Sequence, residues 1–206
     1  VVIQMHYNLA ITRQPDEIMV TLQLADEELP IDELRIYPLT APVEIPCPTG
    51  VDGSQCNRIS ALDRVARLYG QEFHYFPDSL LQNCDQTLAD YADNTGENAT
   101  TYCDYPISAP ITAYSVFGHM HELGWSFQLE LNPDSDAPVM MLDIPSWDFH
   151  WQGTYQFVEP LQLQRGDVVR MTCQWDNTLS ENPRYVVWGE GTDDEMCFGA
   201  IIILRP

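Results

Sequence analysis

No lysine occurs anywhere in this chain. Its nine basic residues are all arginine and stand against 31 acidic ones, giving a formal charge of −22 over 206 residues. A surface so short of positive charge repels polyanions, which excludes nucleic acid and anionic membranes as partners. Acidity of this kind points to a well-solvated surface rather than to an acidic site. Long apolar runs are missing too: none approaches the roughly 18–20 residues of a membrane span, and no signal-peptide pattern is visible. There is no Cys-x-x-Cys pair of the zinc-knuckle kind, no internal repeat and no low-complexity tract.

The 45% hydrophobic content is enough for one sizeable core. A single domain over 1–206 is therefore expected. Six cysteines, at 47, 56, 84, 103, 173 and 197, make an even set. They predict three disulfides in an oxidising, secreted or periplasmic setting, with pairing that sequence alone does not choose. Asn98-Ala99-Thr100 is a glycosylation sequon, a tripeptide common by chance. The chain opens inside a strand-like run, Val1 to Tyr7, without an initiator Met, which predicts trimming from something longer.

Most of the chain reads as strands. Val1 to Ile11 and Ile18 to Ala25 form two, joined by a turn at Gln14-Pro15-Asp16, and Leu34 to Leu39 forms a third. Prolines then crowd residues 38–48. A helix follows, with Ser60 and Asp63 as a capping box, Leu62, Val65, Ala66 and Tyr69 at helical spacing, and Gly70 as its stop. Ser79 to Cys84 reads as a second short helix, and 85–103 as polar loop with its tip at residues 94–97. The segment 40–105 is thus a cysteine-stapled, partly helical insertion in a sheet framework. Beyond it come strands at Ile111 to Phe117, His119 to Leu131, Val139 to Ile144, Thr154 to Val158, Val168 to Trp175, Tyr185 to Trp188 and Met196 to Leu204. Such a series of short strands predicts an all-β, antiparallel β-sandwich, jelly-roll-like in outline.

One stretch carries chemistry. In Gly118-His119-Met120-His121-Glu122-Leu123-Gly124 two imidazoles stand one residue apart, and in an extended chain they point the same way, roughly 6.5–7 Å apart. They can share one metal ion. If the strand runs on unbroken, both lie on its apolar face with Trp125, Phe127, Leu129 and Leu131, unless Gly124 hosts a bulge. The alternative is two inert, hydrogen-bonded histidines at a core rim. The Asp-rich loop at Asp134-Ser135-Asp136 lacks the spacing and glycine of an EF-hand. Trp125 and Ser126 stand where a cupin places its glutamate, and Cys197 has no histidine near it in sequence for a blue-copper site.

Taken together, three motifs resemble the copper type II, ascorbate-dependent monooxygenases in their C-terminal domain. H-x-H-x-x-G is matched by His119 to Gly124, the acidic-Met-Cys sequence by Glu195-Met196-Cys197, and Q-x-H-Y by Gln4-Met5-His6-Tyr7. The segment from Cys173 through Asp176-Asn177-Thr178 to Asn182-Pro183 is similar as well. The resemblance implies copper held by His119, His121 and Met196, a set that suits the ion because imidazole accepts both oxidation states and a thioether favours Cu(I). It also implies dioxygen and a small-molecule substrate, ascorbate or another one-electron reductant, and hydroxylation of an aliphatic C–H bond. Cys197 resembles the family cysteine that bonds to a preceding strand, with Cys173 its natural partner; Cys47–Cys56 and Cys84–Cys103 are then the simplest remaining pairs.

His6 corresponds to a ligand of a second, electron-delivering copper, whose other ligands are an adjacent His-His pair in an N-terminal copper domain. No His-His pair occurs here. Either such a domain is the partner of this chain, or the chain is a one-copper relative; a non-catalytic secreted copper-binding or assembly module on the same fold is the competing expectation. His150, between Phe149 and Trp151, reads as packing or as a hydrogen-bonding support to the site. The peptide-amidating branch carries an Arg two residues before the first His, and Asn and Tyr after Met-Cys, where this chain has Phe117, Phe198 and Ala200. Phe117 and Phe198 are accordingly expected to line a pocket for an apolar or aromatic, uncharged or cationic substrate.

Overall fold

The computed structural model describes residues 17–24 and 32–204. The chain divides into two compact units, Val1–Asp32 and Glu33–Pro206. In the first, residues 17–24 form no strand, which corrects the expected strand at Ile18 to Ala25. Met19 and Leu24 are 85% and 84% exposed, so alternation here has neither a core face nor a ladder partner among the described residues to sustain it. The expected strand at Val1 to Ile11, with Gln4, His6 and Tyr7, lies outside the described residues.

The second unit is a β-sandwich. Ten strands are present among the described residues: β1 Arg35–Ala41, β2 Glu44–Ile45, β3 Ala99–Pro106, β4 Ile111–His119, β5 Gly124–Leu131, β6 Val139–Ile144, β7 Thr154–Leu163, β8 Val168–Trp175, β9 Val186–Val187 and β10 Cys197–Leu204. One four-stranded sheet has the order β1-β10-β4-β7 and the other β3-β8-β5-β6, while β2 and β9 pair separately. All their pairings are antiparallel. Pro38 and Pro160 fall on β1 and β7, the edge strands, where a missing N–H costs no ladder bond.

The core lies between the sheets because each strand presents its apolar residues to one side. In β8, Val169, Met171, Cys173 and Trp175 are all buried. Opposite them a ladder pair of glycines, Gly118 on β4 and Gly199 on β10, leaves a hollow. A Cβ on Gly118 would sit 2.6 Å from the Phe127 ring, and one on Gly199 2.9 Å from Met171 Sδ. Shape at this spot is thus set by the absence of side chains on one sheet and their bulk on the other. The disulfide Cys173–Cys197 ties β8 to β10 across the core. Cys47–Cys56 and Cys84–Cys103 staple the helical segment.

That segment holds helix α1 at Arg58–Tyr69 and helix α2 at Phe76–Asn83. The cap of α1 is Asn57, whose side chain accepts from the Ile59 N–H at 2.8 Å, so the expected capping box at Ser60 is displaced by one turn into the helix. Gly70 ends it at φ 120°, a conformation that favours glycine. Ala61, Leu62 and Val65 pack with Val187 of β9 into a small core of their own. Strand β3 begins inside the stretch expected to be loop, residues 85–103, and runs past its end. Its run Ala-Thr-Thr-Tyr-Cys-Asp-Tyr-Pro looks polar because Ala99, Thr101 and Cys103, which face inward with the partly buried Tyr105, alternate with Thr100, Tyr102 and Asp104.

Candidate metal centre

The site forms where the chain leaves one sheet for the other. Strand β4 ends at His119, and β5 begins only at Gly124. The continuous strand expected from His119 to Leu131 is therefore broken by a turn, because Met120 is fully buried and draws the chain inward. The register shift between Gly124 and Ser126 then turns Trp125 outward, to 56% exposure, and Ser126 inward. The two histidines accordingly do not share the apolar face of β5. They stand at the end of β4 and in the turn, their ring centroids 5.1 Å apart and nearly perpendicular at 79°.

Each imidazole has one nitrogen committed. His121 Nδ1 lies 3.2 Å from the Asp194 carbonyl, which only accepts, so Nδ1 carries the proton and Nε2 keeps a free lone pair. His119 Nδ1 meets Gln152 Oε1 at 2.5 Å. The Gln152 amide is oriented by its own Nε2, which donates to the Phe149 carbonyl at 2.6 Å. His119 therefore takes the same tautomer, with Nε2 free. Burial, then the neighbouring His119, pushes the His121 pKa down to about 4. A neutral imidazole is the form a metal ion needs.

Glu195 holds the turn. It is fully buried, and its carboxylate accepts from the backbone N–H of His121 at 2.8 Å, of Leu123 at 2.6 Å and of Met196 at 3.2 Å, and from Trp175 Nε1 at 3.1 Å. Burial raises its pKa to about 8, against the pull of these donors. Because His121 and Met196 donate to the same oxygen, their backbones lie side by side. The ladder between β4 and β10 runs up to the pair His119–Phe198, just short of both residues. Met196 itself is half-buried.

Phe117 stacks on His119 with centroids 6.3 Å apart at 11°, and Phe198 packs edge-on against Phe117 at 6.3 Å. Phe149 closes the other side, 6.1 Å from His121. Trp147 Nε1 donates to the His121 carbonyl at 3.1 Å. His150 does not take the expected supporting role: its side chain is 85% exposed and faces Asp148, because the Trp147–Trp151 loop turns Trp147 and Phe149 inward instead. His74 lies in the helical segment, 3.3 Å from Asp63. Of the supporting residues only Glu195 has a sequence signal, as the acid of the acidic-Met-Cys match; Asp194, Trp147, Phe149 and Gln152 have none.

Among the described residues no three His, Cys, Asp or Glu side chains gather as a metal-binding group. Two thioether residues flank the pair: Met120, fully buried and between the histidines in sequence, and Met196, half-buried, whose backbone N–H shares a Glu195 oxygen with that of His121. Two neutral imidazoles and a thioether make a donor set suited to copper and ill suited to zinc or calcium.

The family model of the copper type II ascorbate-dependent monooxygenase C-terminal domain matches residues 84–203. The chain belongs to that family. No curated protein matches it. Within this monooxygenase domain the matched stretch runs from Cys84 to Ile203 and takes in the histidine pair, Glu195, Met196 and the cross-sheet disulfide, while β1, β2 and α1 precede it.

Proposed function

We propose that this domain binds one copper ion through His119 Nε2, His121 Nε2 and the Met196 thioether, and hydroxylates an aliphatic C–H bond of a small molecule with dioxygen. The observation that carries the reading is the pair of imidazoles, each with Nδ1–H occupied by a carbonyl acceptor and Nε2 left free, with the Met196 backbone N–H on the same Glu195 oxygen as that of His121. Bound copper supplies one-electron chemistry and a place for dioxygen to react. The balance is one C–H bond and one O2 converted, with two electrons and two protons, to an alcohol and water. Ascorbate or another one-electron reductant supplies the electrons, through an N-terminal copper domain as partner. An oxidising secreted or periplasmic location agrees with the three disulfides.

The residues of the chain fix the ligands and select the substrate. Gln152 and the Asp194 carbonyl hold the two rings in orientation, and Glu195 holds the turn and the Met196 backbone together. Phe117 and Phe198 offer an apolar wall beside His119 with no group for a carboxylate. Arg170 is paired with Asp104 and Asp134, and Arg184 with Asp193 and Asp194, so both guanidinium groups are already engaged. A charge of −22 repels an anionic substrate at long range. The substrate class is therefore apolar or aromatic, uncharged or cationic.

Copper titration tests the ligand set. The chain is expected to bind about one copper, and the double variant His119→Ala/His121→Ala to lose tight binding; stoichiometric binding that survives in the double variant overturns the reading. Calorimetry on the copper-loaded protein tests the substrate class. A peptide ending in glycine should show no carboxylate-dependent binding, and micromolar affinity lost on amidation of that carboxylate would refute the class.

A further inference from the structure

Helix α1 precedes the stretch that matches the family, yet its side chains reach the loop that delivers Met196. The Asp194 carboxylate is buried, at 2% exposure. Arg64 Nη1 pairs with its Oδ1, Arg184 Nη2 donates to the same oxygen at 2.9 Å, and Tyr69 Oη donates to Oδ2 at 2.6 Å. Arg64 also holds Asp193 at 2.7 Å. The other end of the same residue, the Asp194 carbonyl, accepts the Nδ1 proton of His121, and the next two residues are Glu195 and Met196. One short loop thus carries a carbonyl for one imidazole, a carboxylate for the turn and a thioether.

The helix is itself anchored. Arg58, in its first turn, binds the buried Glu44 through Nε at 2.8 Å and Nη2 at 2.6 Å, and Tyr185 Oη donates to Glu44 at 2.8 Å. Asp78 of α2 takes a further bond from Arg58 at 2.8 Å. Removing a cation from Asp194 leaves a buried carboxylate short of a partner, a costly arrangement that the loop relieves by moving toward water.

We propose that α1 is a positioning element for the metal centre, with Arg64 and Tyr69 as positioning residues that act through Asp194 on the His121 ring and on Met196. The inference rests on the ligand set His119, His121 and Met196. It is tested with Cu(I) itself, by competition against a chromophoric Cu(I) chelator and by X-ray absorption at the copper edge. Arg64→Met should weaken Cu(I) binding by about 10–100-fold, the usual effect of losing a partner that orients a ligand. Tyr69→Phe, which removes only a hydroxyl, should weaken it less, and both should diminish the copper–sulfur signal. Arg170→Met serves as the control, since Arg170 also pairs with two aspartates but on the other sheet; it should leave affinity and signal unchanged.

Wild-type affinity and copper–sulfur signal in both Arg64→Met and Tyr69→Phe would overturn the inference. Should Arg64→Met not fold, Arg64→Lys and Tyr69→Phe decide it by the same criteria. Met196→Leu separates the two levels. If it binds Cu(I) like wild type, the ligand set is wrong; if it binds weakly while the Arg64 and Tyr69 variants do not, only the role of α1 is wrong.

Discussion

Strands β8 and β4 are both interior strands of four-stranded sheets, and they are built differently. The pairing of β8 with β3 runs through eight residues without a shift, its ladder with β5 shifts only at the Gly124 end, and its inward side chains are buried one after another. Both ladders of β4 carry a register shift, at Ala113/Ser115 toward β7 and at Ile202/Ile203 toward β10. Regularity serves the core. Irregularity turns Phe117 and His119 to the half-exposed side of β4 while Val116 and Gly118 stay inside. One strand is thus a scaffold and the other a mount for the candidate site.

The contrast is broken most severely from the scaffold side. Leu129, fully buried and the ladder partner of Met171 on β8, is expected to cost about 2–5 kcal/mol of stability in Leu129→Ala. Urea titration measures the loss, and Cu(I) affinity of the folded fraction should stay at the wild-type value. A large fall in affinity there would mean that scaffold and mount are not separable.

An intermediate effect is expected on the mount. Gly118→Ala puts a methyl 2.6 Å from the Phe127 ring and forces that ring to shift, costing about 1–3 kcal/mol. Because Gly118 adjoins His119, Cu(I) affinity should fall along with the urea midpoint. A variant that loses stability but binds copper as before would show the histidine to be insulated from its neighbour.

The smallest effect sits where the chain approaches β3. Asp90 accepts from the Thr87 N–H at 2.7 Å and from the Thr87 hydroxyl at 2.9 Å, which hold its carboxyl below the ordinary value. A depressed carboxyl pKa stabilises the fold above the unfolded pKa and ceases to do so as the pH falls through the folded one. Asp90→Asn should thus lower the Tm slightly at neutral pH, and the difference from wild type should vanish in strong acid. A difference that persists there would assign it to packing.

The same contrast explains what could be read without coordinates. Strand β8 was legible residue by residue because strict alternation between two sheets leaves a period of two. The run from His119 to Leu131 alternates as well, yet a turn separates β4 from β5 within it; Met120 before the break and Phe127 after it join the same core, so nothing in their polarity marks it. Strand β3 was hidden because two of its four core-side residues, Thr101 and Tyr105, carry hydroxyls and its outward Thr100, Tyr102 and Asp104 are polar as well. The histidine pair was legible from its spacing. What Asp194 and Glu195 bind was not, since their partners Arg64, Tyr69 and Trp175 are far away in sequence and only the fold brings them near.

Strand β10 is the last of the ten strands described here, yet it lies inside its sheet, between β1 and β4. During synthesis, Arg35 must wait for Ile203 and His119 for Phe198 before either strand has its neighbour. Pairings so distant along the chain close slowly, because the intervening loop entropy is lost before the contacts form. Met196 and Cys197 arrive with that final strand. The Glu195–Met196 segment and the bond joining the two sheets are consequently completed together once β10 has paired, and a molecule whose sandwich is still open lacks both.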